Sequence, residues 1–164
     1  MNPSHFYATL QSPIGELVLT SSGKAITGLY TSEHSGYEQA KKGKFDSKPF
    51  KQAIKQLTEY FDGKRSSFEL PLESEGTQFQ KKTWKALLSI PCGETKSYGQ
   101  IAKALKAPKA SRAAGAAIGK NPIGIFVPCH RVVGADGSLT GYAGGLKVKK
   151  WLLDHESKLP ARKK

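Results

Sequence analysis

The two residues best suited to chemistry in this sequence are Cys129 and His130, which are adjacent within the segment 128–132. A cysteine reacts as its thiolate, and a nearby base or cation favours that form, so a thiol beside an imidazole is a candidate nucleophile. Neighbouring residues of an extended segment point to opposite sides. Either a local turn or a bridging water must therefore connect the two side chains, and at this point both arrangements stay open.

The other features of the composition narrow the class of protein. No apolar run approaches the ~20 residues that a membrane span requires, and residues 1–5 lack the pattern of a signal peptide. We therefore expect a cytoplasmic protein whose two cysteines, Cys92 and Cys129, are reduced thiols. Because no CxxC motif or His/Cys cluster is present, we expect no metal. We also expect no cofactor.

Positive charge is confined to the second part of the chain. Residues 1–76 contain nine Lys/Arg and nine Asp/Glu, whereas residues 77–164 contain seventeen Lys/Arg and four Asp/Glu. The whole net charge of +13 therefore lies after residue 76. Such a charge distribution favours contact with nucleic-acid phosphates, although a basic surface that only aids solubility stays an alternative.

The first part predicts a β-meander followed by a helix. Apolar–polar alternation predicts strands within 6–10, 16–20 and 25–30. A polar loop is expected around 32–46, and apolar residues at helical spacing then predict a helix over 50–61. This part contains no catalytic constellation.

The second part predicts three short helices with tight turns, the pattern of a helix-turn-helix. Ser97 and Gln100 form a capping box that begins the second helix, and the third is expected over about 109–118. The segment 123–127 is apolar and β-prone, and a final helix contains Trp151.

The third of these helices carries almost no large side chains. Arg112 is its only large polar residue before Lys120, whereas a helix that reads the major groove projects several such residues to base edges. Small residues permit close backbone approach to a narrow groove, with Arg112 inserted into the base stack. Close helix packing within the protein explains the same composition equally well.

The segment 128–133 resembles the active-site signature of the O6-alkylguanine-DNA alkyltransferases, also called methylated-DNA–protein-cysteine methyltransferases. The resemblance covers about residues 79–157, whereas the first 76 residues match in size, in strand–helix order and in an early Ser-Pro-Ile-Gly turn. Further matching positions are Ser97-Tyr98, Arg112, Asn121-Pro122, Gly141-Tyr142, Gly144-Gly145-Leu146 and the segment 151–156.

This resemblance implies an α+β fold with two domains. Residues 1–76 would form a ribonuclease-H-like support domain, and residues 77–164 a winged helix-turn-helix domain that binds DNA. The implied function is direct-reversal repair, in which the protein binds duplex DNA through the minor groove, flips out O6-alkylguanine and transfers the alkyl group irreversibly to Cys129. A monomer is expected, whereas cooperative DNA binding and activity on O4-alkylthymine stay open.

The resemblance also assigns roles to individual residues. His130 would accept the thiol proton through a water, Glu156 would orient His130, and Arg112 would fill the space left by the flipped base. The implied catalytic residues are Tyr98, Asn121, Cys129, His130 and Glu156. The implied DNA-binding residues are Tyr98, Ser111, Arg112, Ala113, Ala114, Gly115 and Lys120. The implied pocket for the base is formed by Arg131, Val132, Tyr142, Ala143 and Gly144.

Two positions depart from the pattern of the family. Gly124 stands where some relatives carry a proline that packs against benzyl groups, so we expect weak inactivation by O6-benzylguanine. Ala143 replaces a common serine, but the implied contact with the base uses only the backbone amide.

Two other functional classes remain as alternatives. A DNA-binding regulator without chemistry would need neither the Cys-His pair nor a helix so poor in side chains. A cysteine hydrolase or peroxidase-like enzyme would use the same thiol, but that class leaves the basic second part unexplained.

Overall fold

A four-stranded sheet forms the first part of the molecule. The structure is a computed structural model that describes residues 5–159. The strands are β1 (Phe6–Ser12), β2 (Gly15–Ser21), β3 (Ile26–Tyr30) and β4 (Lys44–Phe45). Their order in the sheet is β3-β2-β1-β4. Strand β2 pairs antiparallel with both β1 and β3. The three strands predicted from alternation are thereby confirmed.

The turn between β1 and β2 is determined by its own residues. The Ser12 hydroxyl donates to the Gly15 carbonyl at 2.7 Å and accepts from the Ile14 amide at 3.2 Å. Gly15 has a φ of +97°, a region in which a side chain would be strained. This local chemistry holds the register that places Ala8, Leu17 and Leu19 in the core.

The predicted polar loop around 32–46 contains two elements that its sequence does not indicate. These are a one-turn helix, α1 (Tyr37–Ala40), and strand β4. The prediction of a polar loop is therefore wrong over these residues. Strand β4 pairs in parallel with β1, and the Phe45 ring packs edge-on against Tyr7 with centroids 5.4 Å apart. The element depends on this long-range pairing, which no local pattern reveals.

Helix α2 (Lys51–Phe61), preceded by a 3-10 turn at Lys48–Phe50, packs on the sheet. Its buried face carries Ala53, Gln56, Leu57 and Tyr60. Ala53, Leu57 and Tyr60 belong to a single hydrophobic core that extends into the second part of the chain. There it includes Trp84, Leu87, Ile101, Ile118, Val132 and Leu152. The two parts of the chain therefore share buried contacts.

Three helices open the second part: α3 (Gln78–Leu87), α4 (Tyr98–Ala104) and α5 (Ser111–Gly119). The predicted capping box of α4 is confirmed, because the Ser97 hydroxyl accepts from the Gln100 amide and the Gln100 side chain accepts from the Ser97 amide. Helix α5 begins two residues later than predicted, since Lys109 and Ala110 belong to the preceding turn. Helices α4 and α5 pack together as the expected helix-turn-helix.

The apolar segment 123–127 is not a strand, contrary to the prediction. It is a tight loop in which Ile125 has a φ of +67°. The loop is held against β3, because the Leu29 amide donates to the Pro122 carbonyl at 2.9 Å and the Gly124 amide donates to the Leu29 carbonyl at 3.2 Å. The segment is apolar because its side chains are buried in the core, and its other backbone bonds are made within the loop, from the Phe126 amide to the Gly124 carbonyl and from the Val127 amide to the Ile123 carbonyl.

A 3-10 turn at Cys129–Arg131 follows, and then strand β6 (Val132–Val133), which pairs in parallel with β5 (Lys96–Ser97). A loop leads to the last helix, α6 (Leu146–Ser157). Within residues 5–159, no helix has both the length and the apolar character that crossing a membrane requires.

Candidate active site

The 3-10 turn at Cys129–Arg131 supplies the local turn that the adjacent cysteine and histidine require. The Cys129 amide donates to the Val127 carbonyl at 2.7 Å, and the Arg131 amide donates to the Pro128 carbonyl at 3.0 Å. These bonds curl the chain so that Cys129 and His130 both point into the protein. His130 is fully buried, and Cys129 keeps only 7% of its surface exposed.

The His130 ring is oriented by Glu156 of α6. His130 Nε2 lies 2.7 Å from Glu156 Oε2, and both side chains are buried. An ionised carboxylate can only accept hydrogen bonds, so the proton of neutral His130 lies on Nε2. Nδ1 therefore carries the lone pair. Nδ1 is also buried and has no hydrogen-bond partner among residues 5–159, so its lone pair is available to accept a proton.

The Glu156 carboxylate receives hydrogen bonds from two further side chains. Arg131 donates from Nε to Oε1 at 2.8 Å and from Nη2 to Oε2 at 3.0 Å, and the Tyr60 hydroxyl donates to Oε2 at 2.7 Å. Burial alone would raise the pKa of Glu156, but the hydrogen bonds from His130 and Arg131 and the charge of Arg131 outweigh it and hold that pKa far below its usual range. Glu156 is therefore a stably ionised carboxylate.

The thiol and the imidazole are both held in their neutral forms. Burial raises the pKa of Cys129, and the nearby side chains of Asn121, Lys149 and Tyr142 oppose that shift only in part. Burial also lowers the pKa of His130, with the Glu156 carboxylate acting in the opposite direction. A neutral thiol beside a neutral, correctly oriented imidazole is a pair in which the base can take the thiol proton when a substrate arrives.

Asn121 closes the loop that leads to the cysteine. Its side-chain amide donates to the Val127 carbonyl at 3.0 Å and more weakly to the Ile123 carbonyl at 3.4 Å, and its oxygen accepts from the Ile123 amide at 3.0 Å. Asn121 is 3% exposed, so these bonds replace water completely. The loop is therefore rigid where it presents Cys129.

A narrow pocket opens above Cys129. The segment 141–144 forms one wall, and Gly119 and Asn121 at the end of α5 form another. Leu29, Thr31 and His34 also line the pocket, a contribution from the first part of the chain that the sequence did not indicate. The Thr31 hydroxyl donates to the Gly144 carbonyl at 3.0 Å and so attaches the two parts at the pocket.

An open groove continues from this pocket along α5. Residues Gly119, Gly141 and Ala143 line both spaces, so the groove and the pocket are continuous. Tyr98 stands in the groove, where its hydroxyl is 2.7 Å from the Thr140 hydroxyl. Ser111, Arg112 and Gly115 form the α5 side of the groove. A ligand lying along α5 would thus pass directly over the entrance to Cys129.

Comparisons with known proteins agree with this geometry. Two family models match: "6-O-methylguanine DNA methyltransferase, ribonuclease-like domain" over residues 5–74, and "6-O-methylguanine DNA methyltransferase, DNA binding domain" over residues 78–158. A methylated-DNA–protein-cysteine methyltransferase from Mycobacterium tuberculosis is 48% identical over 156 residues, which cover 94% of each chain. The chain belongs to the 6-O-methylguanine DNA methyltransferase family.

Other relatives support this membership. The methylated-DNA–protein-cysteine methyltransferase of Methanosarcina mazei is 45% identical over 152 residues, covering 92% of this chain and 96% of that one. A crystal structure described as Mycobacterium tuberculosis OGT in complex with DNA superposes with a TM-score of 0.88 at 47% identity, covering 95% of this chain and 96% of that chain. The α+β fold with a ribonuclease-like part and a helix-turn-helix part is therefore that of a DNA methyltransferase of this family.

Most residues to which the methyltransferase resemblance assigned roles meet at this site. Cys129, His130, Glu156 and Asn121 lie together, and Tyr142, Ala143 and Gly144 line the pocket. Tyr98, Ser111, Arg112 and Gly115 line the adjoining groove. Ala113 of α5 and Lys120, directly after α5, are exposed.

Three of the expected positions are different in the structure. Arg131 does not line the pocket, because its guanidinium is buried against Glu156 and donates to the Ile90 carbonyl at 2.6 Å. Val132 is also outside the pocket wall, fully buried in β6. Ala114 lies on the inner face of α5, fully buried in the core, so its side chain is not available to DNA.

Sequence reasoning missed Lys149 of α6. Although Lys149 is only 1% exposed, its Nζ donates to the Val132 carbonyl at 2.6 Å and to the Thr140 carbonyl at 3.0 Å. It thereby attaches the pocket wall to the strand that follows the cysteine. The spacing of Lys149, Leu152 and Glu156 could have revealed it, because residues three and seven positions apart share one face of a helix.

Proposed function

We propose that this protein repairs O6-alkylguanine in duplex DNA by moving the alkyl group onto the sulfur of Cys129, irreversibly and once per molecule. The observation that carries the proposal is the position of Cys129 at the base of a pocket, next to a neutral His130 whose orientation is fixed by the ionised Glu156. This arrangement serves nucleophilic attack in a site closed to bulk water.

The proposed reaction is a single displacement at the alkyl carbon. The thiol gives its proton to Nδ1 of His130 through a water, and the resulting imidazolium is stabilised by Glu156. The sulfur attacks the alkyl carbon, a C–S bond forms, and the bond between that carbon and O6 breaks, with its electron pair going to O6. Tyr98 donates a hydrogen bond to the purine ring as negative charge develops there. The ring then takes up one proton to become guanine, which balances the proton that the thiol gave to His130.

The product explains why the reaction would occur once. A thioether has no carbonyl that water can attack, so the alkyl group stays on Cys129. The protein would therefore be consumed in stoichiometric amounts, unlike a cysteine hydrolase, whose thioester intermediate is released by water.

We propose that α5 contacts the minor groove of duplex DNA. Between Arg112 and Lys120, which follows the helix, the exposed residues of α5 are Ala113, Ala116 and Gly119, so that only short side chains separate this part of the backbone from a ligand. Because the groove along α5 leads into the Cys129 pocket, a base flipped from the duplex could enter it. Arg112 would then fill the space that the base leaves. The relative crystallised with DNA supports binding of DNA.

We further propose a division into two domains, residues 1–76 and 77–164, working as a monomer. The limits of the two family models, 5–74 and 78–158, support a boundary near residue 76. The shared core and the bonds of Leu29 and Thr31 indicate that the two domains act as one rigid unit.

Intact-mass measurement tests the stoichiometry. After incubation with excess duplex containing O6-methylguanine, we expect each protein molecule to gain one methylene equivalent, located in the peptide that contains Cys129. A Cys92→Ser variant serves as the control and should gain the same single adduct. An unmodified protein, or a protein that shows repeated turnover, would contradict the proposal.

Position 124 offers a test of substrate range. We expect slow inactivation of the parent by O6-benzylguanine and faster inactivation of Gly124→Pro, because a proline ring adds apolar surface to the pocket wall. The same change removes the amide that donates to the Leu29 carbonyl, so we expect a loss of about 1 kcal/mol of unfolding free energy. Gly124→Ala keeps this amide and serves as the control, with its Cβ 3.3 Å from the Leu29 carbonyl oxygen. Equal benzylguanine rates for parent and proline variant, measured by loss of reactive thiol, would refute the expectation.

A further inference from the structure

Tyr60 connects the first part of the chain to the catalytic carboxylate. Tyr60 lies near the end of α2, and its side chain is fully buried. Its hydroxyl donates to Glu156 Oε2 at 2.7 Å, to the same oxygen that accepts from His130. Thus the residue that orients His130 is itself held from the opposite side by the ribonuclease-like part of the molecule.

The backbone of Tyr60 fixes this contact as well. The His155 ring nitrogen Nε2 lies 2.6 Å from the Tyr60 carbonyl oxygen, and the two rings pack edge-on with centroids 5.1 Å apart. His155 in turn stacks on Trp151 at 4.7 Å. Helices α2 and α6 are therefore joined beside Glu156 both by a backbone bond and by ring packing, and this double attachment limits how far the carboxylate can move.

From this geometry we infer that Tyr60 is a positioning residue for alkyl transfer: its hydroxyl holds Glu156 in the orientation that keeps the proton of His130 on Nε2 and leaves Nδ1 free to act as the base. The inference rests on the proposed function of Cys129. It assigns the ribonuclease-like part a role in the chemistry, in addition to its structural support of the pocket.

The charged and titratable groups around the carboxylate determine the direction of the expected effect. Arg131 and Lys149 act on His130 from the cysteine turn and from α6, and Cys92 lies near Arg131 and Tyr60. All of these stay in place when only the Tyr60 hydroxyl is removed. Burial and the adjacent carboxylate raise the pKa of Tyr60 far above its usual range, so the hydroxyl is a neutral donor that draws charge density from Glu156.

A Tyr60→Phe variant removes this donor and keeps the ring. We expect the rate constant for methyl transfer from an O6-methylguanine duplex to fall about tenfold, as is typical when the residue that orients a functional group is removed. Without the hydroxyl, Glu156 interacts more strongly with a protonated His130, so the pKa of His130 rises. The acid limb of the pH–rate profile should therefore move to higher pH.

Phe61→Leu is the matched control. Phe61 is the neighbour of Tyr60 on α2, and its ring packs on those of Trp151 and Tyr60 with centroids 5.8 Å and 5.3 Å apart, but it has no hydroxyl that could donate to Glu156. This variant should lower the melting temperature and leave the pH–rate profile unchanged. If Tyr60→Phe reacts at the parent rate with the parent profile, or if Phe61→Leu moves the profile equally, the inference is overturned.

An NMR titration of His130 separates this inference from the proposed function. The ring nitrogen shifts of His130 can be followed in the parent and in Tyr60→Phe without any substrate. A higher pKa of His130 in the variant supports the positioning role, and identical titrations overturn it. A parent protein that accepts no methyl group would instead contradict the proposed function, whatever the titration shows.

Discussion

A Cys129→Ser variant should transfer no measurable alkyl group and still bind duplex DNA. Removing the nucleophile of an enzyme lowers its rate by at least about 10³-fold. A serine hydroxyl is much harder to deprotonate than the Cys129 thiol, although burial already raises the pKa of that thiol. Cys129 lies inside the pocket and not on the exposed face of α5, so we expect DNA affinity to stay within about twofold of the parent. Transfer is measured by mass or by label on the protein, and affinity by fluorescence anisotropy.

This variant also separates the alternative classes. A DNA-binding regulator would retain every function after the change. For a cysteine hydrolase or peroxidase-like enzyme, the parent would turn over a small substrate and the variant would not. A Cys92→Ser variant tests whether any loss comes from thiol chemistry in general. Residual alkylation of the Cys129→Ser protein at Cys92 would contradict the assignment of the nucleophile.

The second large effect is expected for Glu156→Gln. This change leaves the buried Arg131 guanidinium without its counter-charge, and breaking a buried ion pair from one side costs about 3–5 kcal/mol. His130 loses the partner that fixes its proton on Nε2, so we expect alkyl transfer to slow by about 100-fold. Unfolding by urea measures the first effect, and single-turnover kinetics measures the second.

The loss of stability in Glu156→Gln should depend on pH, and the direction follows from the pKa of Glu156 in the folded protein. The pKa of Glu156 is depressed below its ordinary value of 4.5, so the ionised carboxylate stabilises the fold above pH 4.5. This stabilisation is lost as the pH falls below 4.5 toward the folded-state pKa. The difference in unfolding free energy between the parent and Glu156→Gln should thus be largest near neutral pH and should decrease under acid. A difference that grows below pH 4.5 would show that Glu156 does not stabilise the protein through its charge.

Local sequence chemistry was sufficient to predict those elements whose bonds are made within a few residues. The capping box of Ser97 and Gln100 and the turn at Ser12 and Gly15 depend only on near neighbours, and both follow from their residue types. Strand β4 and the loop 123–127 were predicted incorrectly, because their conformation depends on β1 and β3, which lie far away in the sequence.

The residues of the candidate site likewise divide into those that sequence patterns predict and those that depend on contacts with distant residues. The Cys-His pair and its family pattern indicated the reactive thiol and the carboxylate. The apolar pattern indicated that Tyr60 is buried, but periodicity reports burial and not the partner of a polar tip. Lys149 was missed for the opposite reason, since a lysine is expected at the surface unless its ammonium finds acceptors, here two backbone carbonyls. For Arg131, the sequence likewise gave no indication of which side of the cysteine turn it occupies.

The bonds that meet at Glu156 have a consequence for the order of folding. Tyr60 is separated from Glu156 by 96 positions in the chain, and His130 by 26. While the polypeptide is being synthesised, the cysteine turn emerges before α6, and at that stage its imidazole has no carboxylate beside it. The pairing of the imidazole with its carboxylate would therefore arise late, when the final helix docks against α2, and a partly folded molecule would lack the oriented base that serves Cys129.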